Sequence, residues 1–250
     1  MKVTIIGCSG SFPGPDSPSS CYLVEAEGFR MLLDFGHGSL GVLQRHIGLY
    51  DVDAICLSHL HADHCLDMCA YHVARTYGPA APYPRVPVYA PADAPRRLAA
   101  AYGMPDEPGL ETAFDFIPLT PGPFEVGPFT VVAGQVNHPV EAYGFRVTHG
   151  GRALAYSGDT GESAELVRLA AGADLMLCES SFLDQPELPT DLHMSGRQAA
   201  EHAAKAGVGR LVLTHLVPWH DQKRILDDAC RGGYGGPIDL ARSGAVYDLA

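Results

Sequence analysis

The sequence predicts an α/β protein in which runs of β-strand are followed by helices. Three observations predict it. Short apolar runs bounded by turn residues, such as Val52-Asp53-Ala54-Ile55-Cys56-Leu57 and Leu211-Val212-Leu213-Thr214, read as buried strands. Segments with helical spacing follow such runs, with apolar residues at Leu66, Cys69, Ala70 and Val73 across 65–77. The chain has 250 residues, 46% hydrophobic and 18% charged, enough to bury one sizeable core. We read 1–250 as a single domain, since no linker, repeat or low-complexity stretch divides it.

In chain order, residues 1–7 form the first strand, too soon interrupted for a signal peptide. Residues 8–20 are rich in Gly, Ser and Pro, and read either as a turn-rich connector or as a rim offering N–H and hydroxyl groups to an anion. Strands at 21–26 and 29–34 form a hairpin around Glu27-Gly28. Asp34 then sits at a strand end, and a helix spans about 39–47, with His37 and His46 as ordinary packing or surface residues. After the strand at 52–57 comes Ser58-His59-Leu60-His61-Ala62-Asp63-His64 on a loop, and then the helix at 65–77. The proline-rich connector 78–91 holds one strand at 86–90, and 92–102 is helical.

Strands at 114–119 and 129–136 are separated by the turn Pro121-Gly122-Pro123, and His138 follows the second of them. A hairpin joins 143–148 to 152–157 across His149-Gly150-Gly151, and Asp159 comes next. Gly158-Asp159-Thr160 also suits the start of the helix at 162–171, because Asp and Thr favour that position. The strand at 174–178 ends in Glu179, and His193-Met194-Ser195 precedes a helix at 196–206. The strand at 211–214 ends in His215, a helix covers 222–230, and a final strand pair lies within 238–249. Chemistry-bearing residues thus recur at the carboxyl ends of strands, where open α/β sheets place their sites.

Composition excludes some functions. The formal net charge is −12, which does not suit phosphate-by-phosphate contact with a long nucleic acid. No apolar run reaches the roughly 20 residues of a membrane span. The seven cysteines are an odd number without a disulfide-like spacing, so we expect free thiols and a cytoplasmic protein. Cys65 and Cys69 stand close enough to the histidine cluster to touch a metal, although packing explains them more simply.

The cluster puts three imidazoles and one carboxylate within residues 59–64. Neutral imidazole with carboxylate suits zinc first, with manganese or iron as alternatives. It holds more donors than one tetrahedral ion needs. His59 and His61 alternate and so point the same way in an extended loop, while Asp63 and His64 point elsewhere, which suggests a second ion.

This HxHxDH pattern resembles that of the metallo-β-lactamase superfamily. Three further matches keep the family's order: His138 in Val136-Asn137-His138-Pro139, Asp159 in Ser157-Gly158-Asp159-Thr160, and His215 in Leu213-Thr214-His215-Leu216. The resemblance implies a four-layer αβ/βα sandwich, two mixed β-sheets flanked by helices, with metals in the cleft between the sheets. It implies that His59, His61 and His138 hold one divalent ion, that Asp63, His64 and His215 hold another, and that Asp159 and a hydroxide bridge them. It also casts Asp34 as the group that orients a ligand imidazole.

Within the superfamily the chain is similar to the ribonuclease Z and cyclic-phosphodiesterase branch. His193-Met194-Ser195 resembles the His-Ser-Thr helix start of that branch, with methionine where serine is usual, and Cys178-Glu179-Ser180-Ser181-Phe182 resembles its Glu-Ala-Thr segment. The resemblance implies that His193 is the general acid on the leaving oxygen and Glu179 its orienting partner, with Asp63 aligning the hydroxide or receiving its proton. The interval from His138 to Asp159 holds only a hairpin, too short for a tRNA-binding arm. The first loop, the cluster and the Ser157-Gly158-Asp159-Thr160-Gly161 run together look close to an actinobacterial group that acts on 3′,5′-cyclic nucleotides. The expected activity is metal-dependent hydrolysis of a small phosphodiester by a metal-bridged hydroxide, without a long nucleic acid or a membrane as partner. Alternatives are an arm-less tRNA 3′ endonuclease, a lactonase, or a metal-bound sensor or scaffold. Trp219, Tyr71, His72 and the 8–20 loop are candidate pocket walls, and a homodimer is compatible with the branch.

Overall fold

The computed structural model describes residues 1–249. Strand β1 (Lys2–Gly7) runs antiparallel to β2 (Cys21–Ala26), which turns through Glu27-Gly28 into β3 (Phe29–Leu33). Both turn residues have positive φ, 52° and 81°, as a tight hairpin turn requires. Helix α1 (Ser39–Leu43) leads to β4 (Ala54–Cys56), then to the short α2 (Ala62–Cys65) and to α3 (Asp67–Tyr77). Strand β5 (Val86–Ala90), helix α4 (Ala94–Tyr102) and strand β6 (Phe114–Pro118) complete this half, and β3 to β6 run parallel.

The chain then crosses to a second sheet. Strands β7 (Gly122–Val126), β8 (Phe129–Gln135), β9 (Tyr143–His149) and β10 (Arg152–Tyr156) form an antiparallel meander. Helix α5 (Ala164–Ala170), strand β11 (Leu175–Glu179), helix α6 (Gly196–Ala206), strand β12 (Leu211–Thr214), helix α7 (Gln222–Cys230) and strand β13 (Ile238–Leu240) extend it in parallel. Strand β14 (Val246–Asp248) returns to the first sheet beside β1. Each sheet has seven strands, ordered β14-β1-β2-β3-β4-β5-β6 and β13-β12-β11-β10-β9-β8-β7.

Three apolar layers lie between four layers of structure. Val3, Ile5, Tyr22, Val24, Met31 and Leu33 face Phe129, Val131, Phe145, Val147, Leu154 and Leu177 between the sheets. On the outer face of the first sheet, Ile6, Leu23, Leu32 and Ile55 pack on Leu43, Met68, Tyr71 and Leu98. Outside the second sheet, Ala155, Met176, Leu211 and Leu213 pack on Leu166, Ala199, Ala203 and Ile225. Strands covered on both faces need apolar residues at every position, hence continuous runs in the sequence. Tyr22 and Thr214 share a 2.6 Å hydrogen bond that ties β2 of one sheet to β12 of the other, just behind His215.

The architecture is the expected αβ/βα sandwich of two mixed sheets flanked by helices, and four local readings are corrected. Pro121-Gly122-Pro123 opens a strand, because β7 is the edge of its sheet, where proline's missing N–H is tolerated. The final two strands do not pair; they belong to different sheets, since each finds a hydrophobic edge on a different layer. Asp63 and His64 lie in the first turn of α2, not on a loop. The cap of α5 is Ser163, whose hydroxyl accepts from the N–H of Leu166, so Asp159 is not a helix cap.

Candidate metal centre

Six strand ends converge on one cleft. Asp34 follows β3, His59 and His61 follow β4, His138 follows β8, Asp159 follows β10, Glu179 ends β11 and His215 follows β12. Close backbone approach makes this possible. A Cβ on Gly10 would stand 2.6 Å from the His215 carbonyl oxygen, and one on Gly36 only 1.9 Å from that of Asp63, so only glycine fits. Among the described residues four non-glycine residues hold positive φ, and three of them, Ser11 at 63°, Asp34 at 59° and His215 at 53°, touch the centre. Each such residue stores about 1–3 kcal/mol of strain, which the surrounding contacts must outweigh.

Two groups of donor atoms form. Those of His59, His61, His138 and Asp159 lie within 4.8 Å of one another, as do those of Asp63, His64, Asp159 and His215. Asp159 stands in both. In the first group His61 Nδ1 is 2.9 Å from His59 Nε2 and 3.2 Å from His138 Nε2. In the second, Asp63 Oδ2 is 3.0 Å from His215 Nε2 and 3.5 Å from His64 Nε2. Asp159 lies 3.2 Å from His64 Nε2, 3.4 Å from His215 Nε2 and 3.7 Å from His59 Nε2.

The far side of these rings is tied down. His64 Nδ1–H donates to Asp34 Oδ2 at 2.7 Å, and His138 Nδ1–H to the Leu192 carbonyl at 2.9 Å. The Ser58 hydroxyl donates to Asp34 at 2.8 Å, so the proton on His59 Nδ1 points to Ser58 at 3.1 Å. The Ser181 hydroxyl donates to Glu179 at 2.9 Å, so His215 Nδ1–H points to Ser181 at 2.7 Å. In neutral form each of these four rings therefore turns a bare Nε2 inward. His64 Nε2 and Asp159 Oδ1 are buried without a hydrogen-bond partner. Converging bare nitrogens and an orphaned carboxylate oxygen repel one another unless a cation lies between them. The donors thus fit two divalent ions, with nitrogen and carboxylate suited to zinc.

Protonation follows the same logic. Burial pushes His59, His61 and His138 below the usual imidazole value, and the neighbouring imidazoles push further, so the neutral, metal-binding form is favoured. Burial opposes the charged forms of Asp63 and Asp159, but His215 and His64 outweigh it and hold both carboxyls low. For His64 burial lowers the value, and the Asp159 and Asp34 carboxylates more than reverse it.

Glu179, His193 and His215 form a third close group. There the carboxylate is already saturated. Its Oε1 accepts from Thr160 N at 2.9 Å and His193 Nδ1 at 2.8 Å, and its Oε2 accepts from Ser181 N and Oγ and from Met194 N. It has no need of an ion. Burial would lower the His193 value, but the Glu179 charge and hydrogen bond lift it to about 9. The His193 ring is 5.5 Å from that of His138 and 5.4 Å from that of His215, so it overlooks both metal groups. The Met194 side chain is buried, and its backbone N–H makes the contact to Glu179.

The structure thus gathers every site residue expected from the sequence. It keeps Cys65 and Cys69 apart from the cluster: Cys65 donates to the His61 carbonyl at 3.3 Å, and Cys69 faces the Leu98 carbonyl. All seven cysteines are free. Tyr71 and His72 are not pocket walls. Tyr71 packs edge-on to Phe35, and His72 packs against Tyr102, within the helical layer. A polar cavity of about 610 Å³ beside His138 is lined by Gln135, Asn137 and Asp191. Sequence reasoning missed Ser58, Tyr156 and Ser181. Tyr156 donates to Asp34 at 2.6 Å, and all three adjoin quoted motifs. Among the described residues no helix is long and apolar enough to cross a membrane.

Comparison with known proteins agrees with this geometry. A family described as "Beta-lactamase superfamily domain" matches residues 30–216. The uncharacterised protein Rv1339 of Mycobacterium tuberculosis is 42% identical over 255 residues, covering 100% of this chain and 92% of that protein. YhfI of Bacillus subtilis, named a probable metallo-hydrolase, is 30% identical over 99% of this chain and 100% of its own. The YhfI crystal structure superposes with a TM-score of 0.87, covering 98% of each chain. Ribonuclease Z of Mycolicibacterium gilvum is 32% identical over 87% of this chain and 85% of that enzyme.

Proposed function

This chain belongs to the β-lactamase superfamily as a metallo-hydrolase of that fold, and from that premise we propose that it cleaves small phosphodiesters, 3′,5′-cyclic nucleotides first among them. The observation that carries this reading is the His193–Glu179 pair at 2.8 Å, set beside two metal-binding groups that share Asp159. An alkoxide is a poor leaving group and needs a proton as its bond to phosphorus breaks. His193 is held to supply one. Its Nδ1 is engaged by Glu179, so Nε2–H is its donor, and Glu179 keeps the ring charged through neutral pH.

Two divalent ions, zinc first, would be held by His59, His61, His138, Asp159, Asp63, His64 and His215 and would supply Lewis acidity toward phosphate oxygens and an activated water. The remaining work belongs to the chain. Asp63, kept ionised by His215 and His64, would align the attacking water through its carboxylate. The Ser11 N–H, 2.8 Å from Asp63 Oδ2, fixes that carboxylate. Asp34, through Ser58, Tyr156 and His64, stops the imidazoles from rotating.

The likeness to ribonuclease Z supports a second reading, a tRNA 3′ endonuclease. Against it stand the net charge of −12 and the tight β9–β10 hairpin, which fills the interval between His138 and Asp159. Hydrolysis of 3′,5′-cAMP, bis-p-nitrophenyl phosphate and a precursor tRNA by one metal-quantified preparation separates the readings. Chelator-sensitive turnover of cAMP is expected. Cleavage of the tRNA with cAMP untouched would replace this reading by the second.

A further inference from the structure

Phe12 and Trp219 are large apolar side chains left in solvent, exposed by 36% and 69%, and their ring centroids meet at 5.0 Å. Both are tied to the metal centre. Phe12 follows Ser11, whose N–H binds Asp63 Oδ2 at 2.8 Å, so its Cα stands about 3.8 Å from that of Ser11. Trp219 comes four residues after His215. The two segments are zipped together by Gly10 N to the Leu216 carbonyl at 3.1 Å and by Leu216 N to the Cys8 carbonyl at 2.9 Å. Gly14 closes against Pro218, where a Cβ would stand 3.2 Å from the proline ring. The Trp219 indole N–H donates to His220 Nε2 at 3.2 Å, which sets the plane of the ring.

Ser11 holds a φ of 63°, a conformation its neighbours must enforce. The strained, proline-flanked 8–20 loop thus presents Phe12, and the segment that follows His215 presents Trp219, both on backbone continuous with the centre.

We propose that Phe12 and Trp219 form a stacking shelf for an aromatic base carried by the substrate, while the metal centre takes its phosphate. This rests on the phosphodiesterase reading above. Stacking reads the π-face of a base and not its hydrogen-bond pattern. The shelf therefore separates esters with a base from esters without one, favours purines over pyrimidines by contact area, and scarcely tells adenine from guanine.

The test compares the metal-loaded wild type with Trp219→Ala and Phe12→Ala on 3′,5′-cAMP and on base-free ribose 3′,5′-cyclic phosphate. The preference in kcat/KM for the base-bearing ester should fall about tenfold, chiefly through KM. A second readout needs no turnover. Trp219 is the chain's single tryptophan, so its fluorescence should be quenched saturably by adenosine 5′-monophosphate and not by ribose 5-phosphate. Quenching without cAMP hydrolysis would keep the shelf and remove the phosphodiesterase reading. Hydrolysis with an unchanged preference in both variants and no quenching would overturn the shelf alone. A Trp219→Ala chain that keeps the preference but loses a dimer in sedimentation would overturn it too, assigning the patch to a contact between copies.

Discussion

Replacing His193 by alanine separates a proton donor from a structural residue. Glu179 binds Nδ1 at 2.8 Å and leaves Nε2–H facing the cleft, and with its value lifted to about 9 the ring is charged at neutral pH. Positioned acids of this kind contribute about 10²–10⁴-fold when the leaving group is a poor one. Turnover of 3′,5′-cAMP by His193→Ala should fall by about that factor. Turnover of bis-p-nitrophenyl phosphate should fall less than about tenfold, because p-nitrophenolate departs as a stable anion and gains little from protonation. Steady-state kinetics on both esters at pH 7.5, with metal per chain measured on the same samples, make the comparison. His193 Nδ1 lies 3.9 Å from Asp159 and bonds elsewhere, so metal content should not change. Equal losses on the two esters, or a loss that tracks missing metal, would refute the acid role.

Other perturbations follow from the contacts around the centre. Asp34→Ala strips four donor contacts, from Ser58 N and Oγ, Tyr156 and His64, at about 1–3 kcal/mol for each buried group left unpaired, and should loosen metal about 10–100-fold. Calorimetry and chelator competition would show both, and unchanged metal affinity would dismiss its orienting role. Gly36→Ala puts a Cβ 1.9 Å from the Asp63 carbonyl oxygen and should cost about 1–3 kcal/mol in urea unfolding while displacing α2. The metal-free protein should lose stability in mild acid. Burial lowers the His202 value, its Nε2 accepts from Ser163 N at 3.0 Å, and His59, His61 and His138 are likewise lowered. Below about pH 6.5 the unfolded chain takes up more protons at these four imidazoles than the folded one, and they outnumber the raised His64 and His193, which act in the opposite sense, so Tm should be lower at pH 5.5 than at pH 7.5.

Much of this site is legible in the chain because most of its residues follow the end of an apolar strand, while Asp63 and His64 in α2 and His193 before α6 are legible from their motifs. A run buried on both faces announces itself, and its last residue is the first to reach the cleft. Helices α6 and α7 and strand β12 are readable to the residue, since Ser195 and Asp221 cap the helices and Gly207 stops α6. The missed elements lack such punctuation. Strand β7 is an edge strand that accepts proline, and β13 and β14 are adjacent in sequence but pair with β12 and β1. Sheet membership is a long-range property that local pattern does not carry. Ser58, Tyr156 and Ser181 were invisible for a related reason. A serine beside a histidine looks like any turn serine until the fold shows that its hydroxyl fixes which ring nitrogen is bare.

The central claim is a pair of ions sharing Asp159. Anomalous diffraction on either side of the zinc edge, from crystals of zinc-loaded protein, tests it most directly. Two peaks about 3.5–4 Å apart are expected, one among His59, His61 and His138, the other among Asp63, His64 and His215, with the Asp159 carboxylate between them. A single peak, or a zinc held by Glu179 and His193, would contradict it.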